Sequence, residues 1–221
     1  MKHGPTKAVL AAVLLLLSAA AVHAEELGAP VRREATPPRR EPPREHRAAT
    51  GPGIKGVTMI RFHAGISSPT GNFSDGFDTG WGAGAGAAYG VSPRVLLSGD
   101  LAYHHFEEKG VSGRMEIVPF TVGADYIIPT TGQVHPWVGG GIGIYHLDLS
   151  RDVLIDILPP VVVRASASET DAGIHLGAGV GGPLGARTDW GVGFRIHEIF
   201  EGSGFPSSDF ITIQFGIGVR P

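Results

Sequence analysis

Phe210-Ile211-Thr212-Ile213-Gln214-Phe215-Gly216-Ile217-Gly218-Val219 decides the fold. Ile211, Ile213, Phe215, Ile217 and Val219 share one face, while Thr212, Gln214, Gly216 and Gly218 share the other. That is the period of two that a β-strand imposes on its side chains. The pattern recurs upstream. Trp190, Val192, Phe194 and Ile196 alternate with Gly191, Gly193, Arg195 and His197, and Ile60, Phe62, Ala64 and Ile66 alternate with Met59, Arg61, His63 and Gly65. Val95, Leu97, Leu101 and Tyr103 alternate with Leu96, Ser98, Asp100 and His104. Val118, Phe120, Val122, Ala124 and Tyr126 alternate with Thr121, Gly123 and Asp125.

The spacing predicts eight strands, over 56–67, 80–90, 94–105, 115–128, 135–148, 171–183, 190–200 and 210–220. Alternation alone also fits a soluble sandwich, whose apolar face would point inward. The opposite face separates the two, because it carries glycine and an occasional charge, not the Lys and Glu of a wetted surface. Glycine suits the crowded interior of a narrow barrel. The predicted inward charges, Arg61, Asp100, Asp125 and Arg195, balance in sign, as a closed lumen requires of buried ions. A one-residue slip of the first or seventh strand would aim Arg61 or Arg195 at lipid, at roughly 2–4 kcal/mol each near the midplane. A lipocalin-like carrier would need an apolar interior, which these faces do not supply.

The connections alternate in length. Gly90–Pro93, Pro129–Val134 and Leu184–Asp189 are short; Ser68–Thr79, Phe106–Arg114, Leu149–Thr170 and Glu201–Asp209 are longer. Short turns at one end and long loops at the other are the signature of an outer-membrane barrel, with the short turns in the periplasm. The expected fold is therefore all-β, an eight-stranded antiparallel transmembrane β-barrel over 56–221. The tryptophans and tyrosines, Trp81, Tyr89, Tyr103, Tyr126, Trp137, Tyr145 and Trp190, are expected in interfacial girdles. In the fifth strand, Gly139-Gly140-Gly141 and Gly143 leave the facing of Val138, Ile142 and Ile144 open.

Two segments precede the barrel. Residues 1–24 have a basic start with Lys2 and Lys7, an apolar run from Ala8 to Val22, and Val22-His23-Ala24 at the end. This is the plan of a cleaved signal peptide, and the run is too short for a spanning helix. Residues 25–55 mix Pro30, Pro37, Pro38, Pro42, Pro43 and Pro52 with six arginines between Arg32 and Arg47. They cannot bury enough apolar surface to order themselves, which predicts a disordered N-terminal tether in the periplasm. Its possible partners are peptidoglycan or a periplasmic protein. Loss of Lys2 and Lys7 from 18 basic side chains leaves the 21 acidic ones further in excess, so no basic face suggests nucleic acid. There is no cysteine for a disulfide, a metal framework or a lipid anchor.

Gly65-Ile66-Ser67-Ser68-Pro69-Thr70-Gly71-Asn72-Phe73-Ser74, with Gly80 opening a glycine-rich strand to Tyr89, resembles the start of the OmpA/OmpX-like outer-membrane β-barrel domain. Pro136-Trp137-Val138-Gly139-Gly140-Gly141-Ile142-Gly143 and Phe210 to Val219 resemble its later part. The resemblance covers residues 56–221. It implies residence in the outer membrane, contact with its lipid, insertion by the barrel assembly machinery and a monomeric state. Members commonly end on an aromatic residue, whereas this chain ends Val219-Arg220-Pro221; Phe215 is the candidate replacement.

Three sets of residues bear on chemistry. Arg61, His63, Asp100, His104, Asp125, His175, Arg195, His197 and Gln214 form a candidate polar network in the lumen, read as structural plugging ahead of a relay or gate. Some small barrels modify lipid A with a serine activated by histidine. Phe194-Arg195-Ile196-His197-Glu198-Ile199 is faintly similar to that motif, but Ile199 stands where the serine should be, and no serine neighbours His104 or His105 in sequence. The histidines show no metal spacing. No enzyme activity, metal or cofactor is expected; a lipid A-modifying enzyme and a narrow, porin-like channel are the alternatives. Finally, Val153 to Val163 is an apolar run inside an expected loop. It either extends strands five and six as a hairpin around Pro159-Pro160 or folds back over the barrel mouth.

Overall fold

A computed structural model describes residues 53–155, 161–200 and 208–221. The expected signal peptide, and the expected tether as far as Pro52, lie outside the described residues. Eight strands, β1 (Thr58–Pro69), β2 (Gly80–Gly90), β3 (Val95–Glu107), β4 (Gly113–Ile127), β5 (His135–Ile155), β6 (Val161–Pro183), β7 (Thr188–Ile199) and β8 (Phe210–Val219), pair antiparallel in sequence order. β8 returns to β1, with Arg61 opposite Gly218 and Ile66 opposite Ile213, so the sheet closes on itself. Closure removes the free edges that an open sheet would present to lipid.

The faces follow the alternation. Phe62, Leu101, Phe120 and Ile213 stand more than half exposed on the outside, where lipid would cover them. β5 settles with Ile142 and Ile144 outward, 64% and 55% exposed, and with Gly139, Gly141 and Gly143 inward beside Asp125, His175 and Thr121. Two aromatic residues depart from the expected girdles. Trp81, Tyr89, Tyr103, Tyr126 and Trp190 do take the outward parity of their strands, but Trp137 and Tyr145 share the inward parity of β5. The Trp137 ring fills space left by Gly179 and Gly193, and Tyr145 is fully buried. Glycines on neighbouring strands make room for rings that the residue type alone would send to an interface.

The expected loops are also shorter than their composition suggests. β3 runs to Glu107 and β4 starts at Gly113, so Phe106 is a strand residue facing the interior. The stretch Leu149–Thr170 is mostly strand: β5 and β6 stay paired from His135 opposite Gly181 up to Ile155 opposite Val161. Alternating Ser and Ala with β-branched Val and Thr sustain a ladder there. Pro159-Pro160, the expected turn, lies outside the described residues.

The long-loop end is closed from inside. Phe106, Met115, Ile117, Tyr145, Leu147, Ile199 and Phe210 point inward from five strands and pack around Phe73. Phe73 belongs to α1 (Phe73–Gly76), one helical turn that the sequence did not suggest. Gly71, at φ +58°, reverses the chain ahead of it, and the Ser74 hydroxyl donates to the Gly71 carbonyl at 2.7 Å. The turn thereby drops Phe73 onto Phe106, their ring centroids 5.1 Å apart at 71°. Below this plug lies a polar layer, and below that a cavity of about 440 Å³ reaches the short-turn end.

Candidate functional site: the lumen polar layer

All nine residues of the candidate lumen network take inward positions, brought there by β1, β3, β4, β6, β7 and β8. Eight of them stand directly across a ladder from a glycine. Arg61 faces Gly86 and Gly218, His63 faces Gly84 and Gly216, and Gln214 faces Gly65 and Gly193. Asp100 faces Gly86 and His104 faces Gly82; Asp125 faces Gly139, His175 faces Gly141 and Arg195 faces Gly177. A long side chain in a narrow barrel needs a bare neighbour, and the glycines supply one each time. His197 is the exception. It faces His175 and Phe210, and it stacks on the Phe210 ring at 4.4 Å and 6°.

The network has two parts. Toward the short-turn end the charges pair. Arg61 Nη1 donates to Asp125 Oδ2 at 2.9 Å, and His63 Nε2 lies 3.0 Å from Asp100 Oδ1. Arg195 Nη1 stands 4.0 Å from the same Asp100 oxygen, so one carboxylate serves two basic groups. Sharing of this kind offsets part of the cost of burying the ions. Under the apolar plug the contacts are hydroxyl–imidazole pairs. The Ser67 hydroxyl and His104 Nδ1 are 2.8 Å apart, and the Tyr145 hydroxyl and His197 Nδ1 are 3.1 Å apart. The His175 and His104 rings each lie 5.9 Å from the His197 ring. Arg61 Nη2, His175 Nδ1 and Thr212 Oγ1 are buried with no hydrogen-bond partner among the described residues.

Two members were missed in sequence. Ser67 continues the inward parity of β1 two residues past Gly65, a signal that was present but not used. Tyr145, expected in a girdle, turns inward where Gly173 on the adjoining strand leaves room for its ring. Ser67 also corrects one sequence argument: His104 has no serine near it in sequence, yet β1 brings one into hydrogen-bond contact. The pair is not arranged for acyl transfer. Ser67 and His104 are 1% and 4% exposed beneath the plug, and among the described residues no carboxylate hydrogen-bonds to His104 to orient it. Among the described residues no group of three or more His, Asp or Glu is placed to hold a metal ion.

The barrel can now be set beside known proteins. The family described as "Outer membrane protein beta-barrel domain" matches residues 9–220. Among solved structures, Neisserial surface protein A is similar over 74% of this chain and 97% of its own, at 12% identity and a TM-score of 0.55. Ail, the attachment invasion locus protein of Yersinia pestis, is similar over 76% of this chain and all of its own, at 17% identity and a TM-score of 0.50. At such identities the likeness is one of fold. No curated protein sequence matches the chain. The closed eight-stranded ladder, the lipid-ready outer face and the family match together make one conclusion: the chain belongs to the outer-membrane β-barrel domain family and is a small, OmpA/OmpX-like barrel of the outer membrane.

Proposed function

We propose that the protein is a surface-interaction barrel without enzymatic activity, and that the β5–β6 ribbon is its binding element. The observation that carries this reading is a free strand edge. β5 and β6 have 21 and 23 residues, against 10–15 in the other strands. A membrane crossing needs roughly 9–11 residues, so the excess rises beyond the membrane at the long-loop end. β6 pairs with β7 only from Gly173 opposite Ile199 onward. From Val161 to Ser168 its outer side has no ladder partner among the described residues. The segment carries Val162 and Val163 exposed and holds no proline; its one cation up to Ser168, Arg164, is paired with Asp152 of β5. An extended segment of a partner protein could add to it as a further strand. Ail, similar in fold, is called an attachment protein, which fits an adhesive role here.

On this reading the short turns face the periplasm. The signal peptide is cleaved after Ala24, and residues 25–55 reach toward peptidoglycan or a periplasmic partner. The lumen layer keeps a structural role, since the plug above it obstructs a conducting path and buries the Ser67–His104 pair. The test is adhesion of cells carrying the chain to a host-cell monolayer. The double variant Ala165→Lys/Ala167→Lys, which charges the edge, should lose most of the retained cells while the barrel keeps its heat-modifiable migration. Equal retention by the two would overturn the reading.

A further inference from the structure

The cavity at the short-turn end is a built space, and the surface-interaction reading makes no use of it. Its walls include Ile54, Met59, Leu96 and Trp137, and its deeper side is the paired layer of Arg61–Asp125 and His63–Asp100. A volume of about 440 Å³ falls within the roughly 300–1,000 Å³ typical of small-molecule sites, which are likewise mostly apolar with a few polar groups.

Two independent observations point to an occupant. The first is Gly191. Most inward glycines are bare because a neighbour needs the room: a Cβ on Gly193 would stand 2.6 Å from the Trp137 ring, and one on Gly177 2.7 Å from the Arg195 stem. A Cβ on Gly191 would meet only the Val180 carbonyl, at an ordinary 3.6 Å, and the residue has no positive φ. Neither packing nor backbone demands glycine there. It keeps the cavity wall open at mid-depth, in a row with Gly181 and Gly216 on the adjacent strands.

The second is Gln214. Its side-chain amide lines the cavity and makes no hydrogen bond among the described residues, although one layer away the charged groups are paired. An amide offers one acceptor and two donors without charge. The floor's two arginines, Arg61 and Arg195, and its two aspartates, Asp100 and Asp125, balance in charge, so a charged guest would be buried without a counter-charge. Arg61 Nη2, buried and unpaired among the described residues, is a further donor for a neutral acceptor.

We propose that this vestibule binds a small uncharged molecule with an apolar body against Trp137 and an amide-type polar end on Gln214, entering from the short-turn end.

The three tryptophans make this testable, because Trp137 faces the cavity whereas Trp81 faces lipid. The chain, purified from outer membranes with ¹⁵N-labelled tryptophan and placed in phospholipid nanodiscs, would be titrated with benzamide and, separately, with sodium benzoate. Benzamide should shift the Trp137 indole N–H saturably and leave Trp81 unmoved, with benzoate at least tenfold weaker. Gln214→Leu should weaken benzamide about fivefold, the worth of one neutral hydrogen bond. Gly191→Leu should abolish the shift while heat-modifiable migration shows an intact barrel; if that variant does not fold, the smaller Gly191→Ala should weaken binding instead. A non-saturating shift, an equal shift at Trp81, or tighter binding of benzoate would each overturn the proposal. None of these outcomes bears on adhesion by the β5–β6 ribbon.

Discussion

Arg195 stands directly opposite Gly177 across the β6–β7 ladder, and its stem occupies the volume a Cβ on Gly177 would claim, with Cγ 2.7 Å from that position. The same pairing of a long polar side chain with a bare neighbour recurs around the lumen, at His63 and Gly84, at His175 and Gly141, and at Asp125 and Gly139. It is the packing rule of this interior. Eight strands enclose a narrow interior, and every member of the polar network but His197 has a bare neighbour on at least one side.

Gly177→Ala should therefore destabilise the barrel by about 1–3 kcal/mol, the usual cost of overpacking. The added methyl would meet both Arg195 and the Phe194 carbonyl at 2.7 Å, and the backbone oxygen cannot swing away. Gly185→Ala, in the β6–β7 turn with open space around it, is the control and should be neutral. Urea midpoints for loss of heat-modifiable migration measure both.

The Arg61–Asp125 pair should show strong non-additivity. Arg61→Leu leaves Asp125 buried without its cation, at a cost of about 3–5 kcal/mol. Adding Asp125→Leu should recover most of that loss, because the orphaned charge is gone. A double-mutant cycle on unfolding free energies gives the coupling; simple addition of the two losses would contradict the pairing seen at 2.9 Å.

Phe106 is fully buried at the centre of the plug, touching the rings of Phe73 and Phe210. Phe106→Ala should cost about 3–5 kcal/mol. It should still conduct no ions in a planar bilayer, since Met115, Ile117, Tyr145 and Leu147 keep the section filled. Steady conductance from the unmodified chain would show that the plug opens.

Ile213, 61% exposed in the middle of β8, lies on the face assigned to lipid. Ile213→Arg should cost roughly 2–4 kcal/mol if it sits near the midplane. The same change in a soluble barrel would be harmless, so folding yield into vesicles distinguishes the two environments.

The strands, their faces and the closed barrel were legible in the sequence, because a period of two survives wherever one face meets lipid and the other a lumen. Phe210–Val219 carried both faces in ten residues. The inward charges were legible for the same reason: parity alone places Arg61, Asp100, Asp125 and Arg195 inside. Three things were not. The inward turn of Trp137 and Tyr145 depends on glycines in neighbouring strands, and a strand's own sequence does not show what stands beside it. The ribbon over Leu149–Ile155 and Val161–Thr170 is legible in sequence only as one of two alternatives, a strand extension or a fold over the mouth, because Ser and Ala are weak strand markers; the continued pairing of β5 with β6 supplies the extension. The Ser67–His104 contact joins residues 37 positions apart, set by the stagger of β1, β2 and β3. The sequence by itself thus determined the strand set and the inward faces of β1, β3, β4, β7 and β8. The partners inside were decided only by closure, because register around a barrel is a property of all eight strands together.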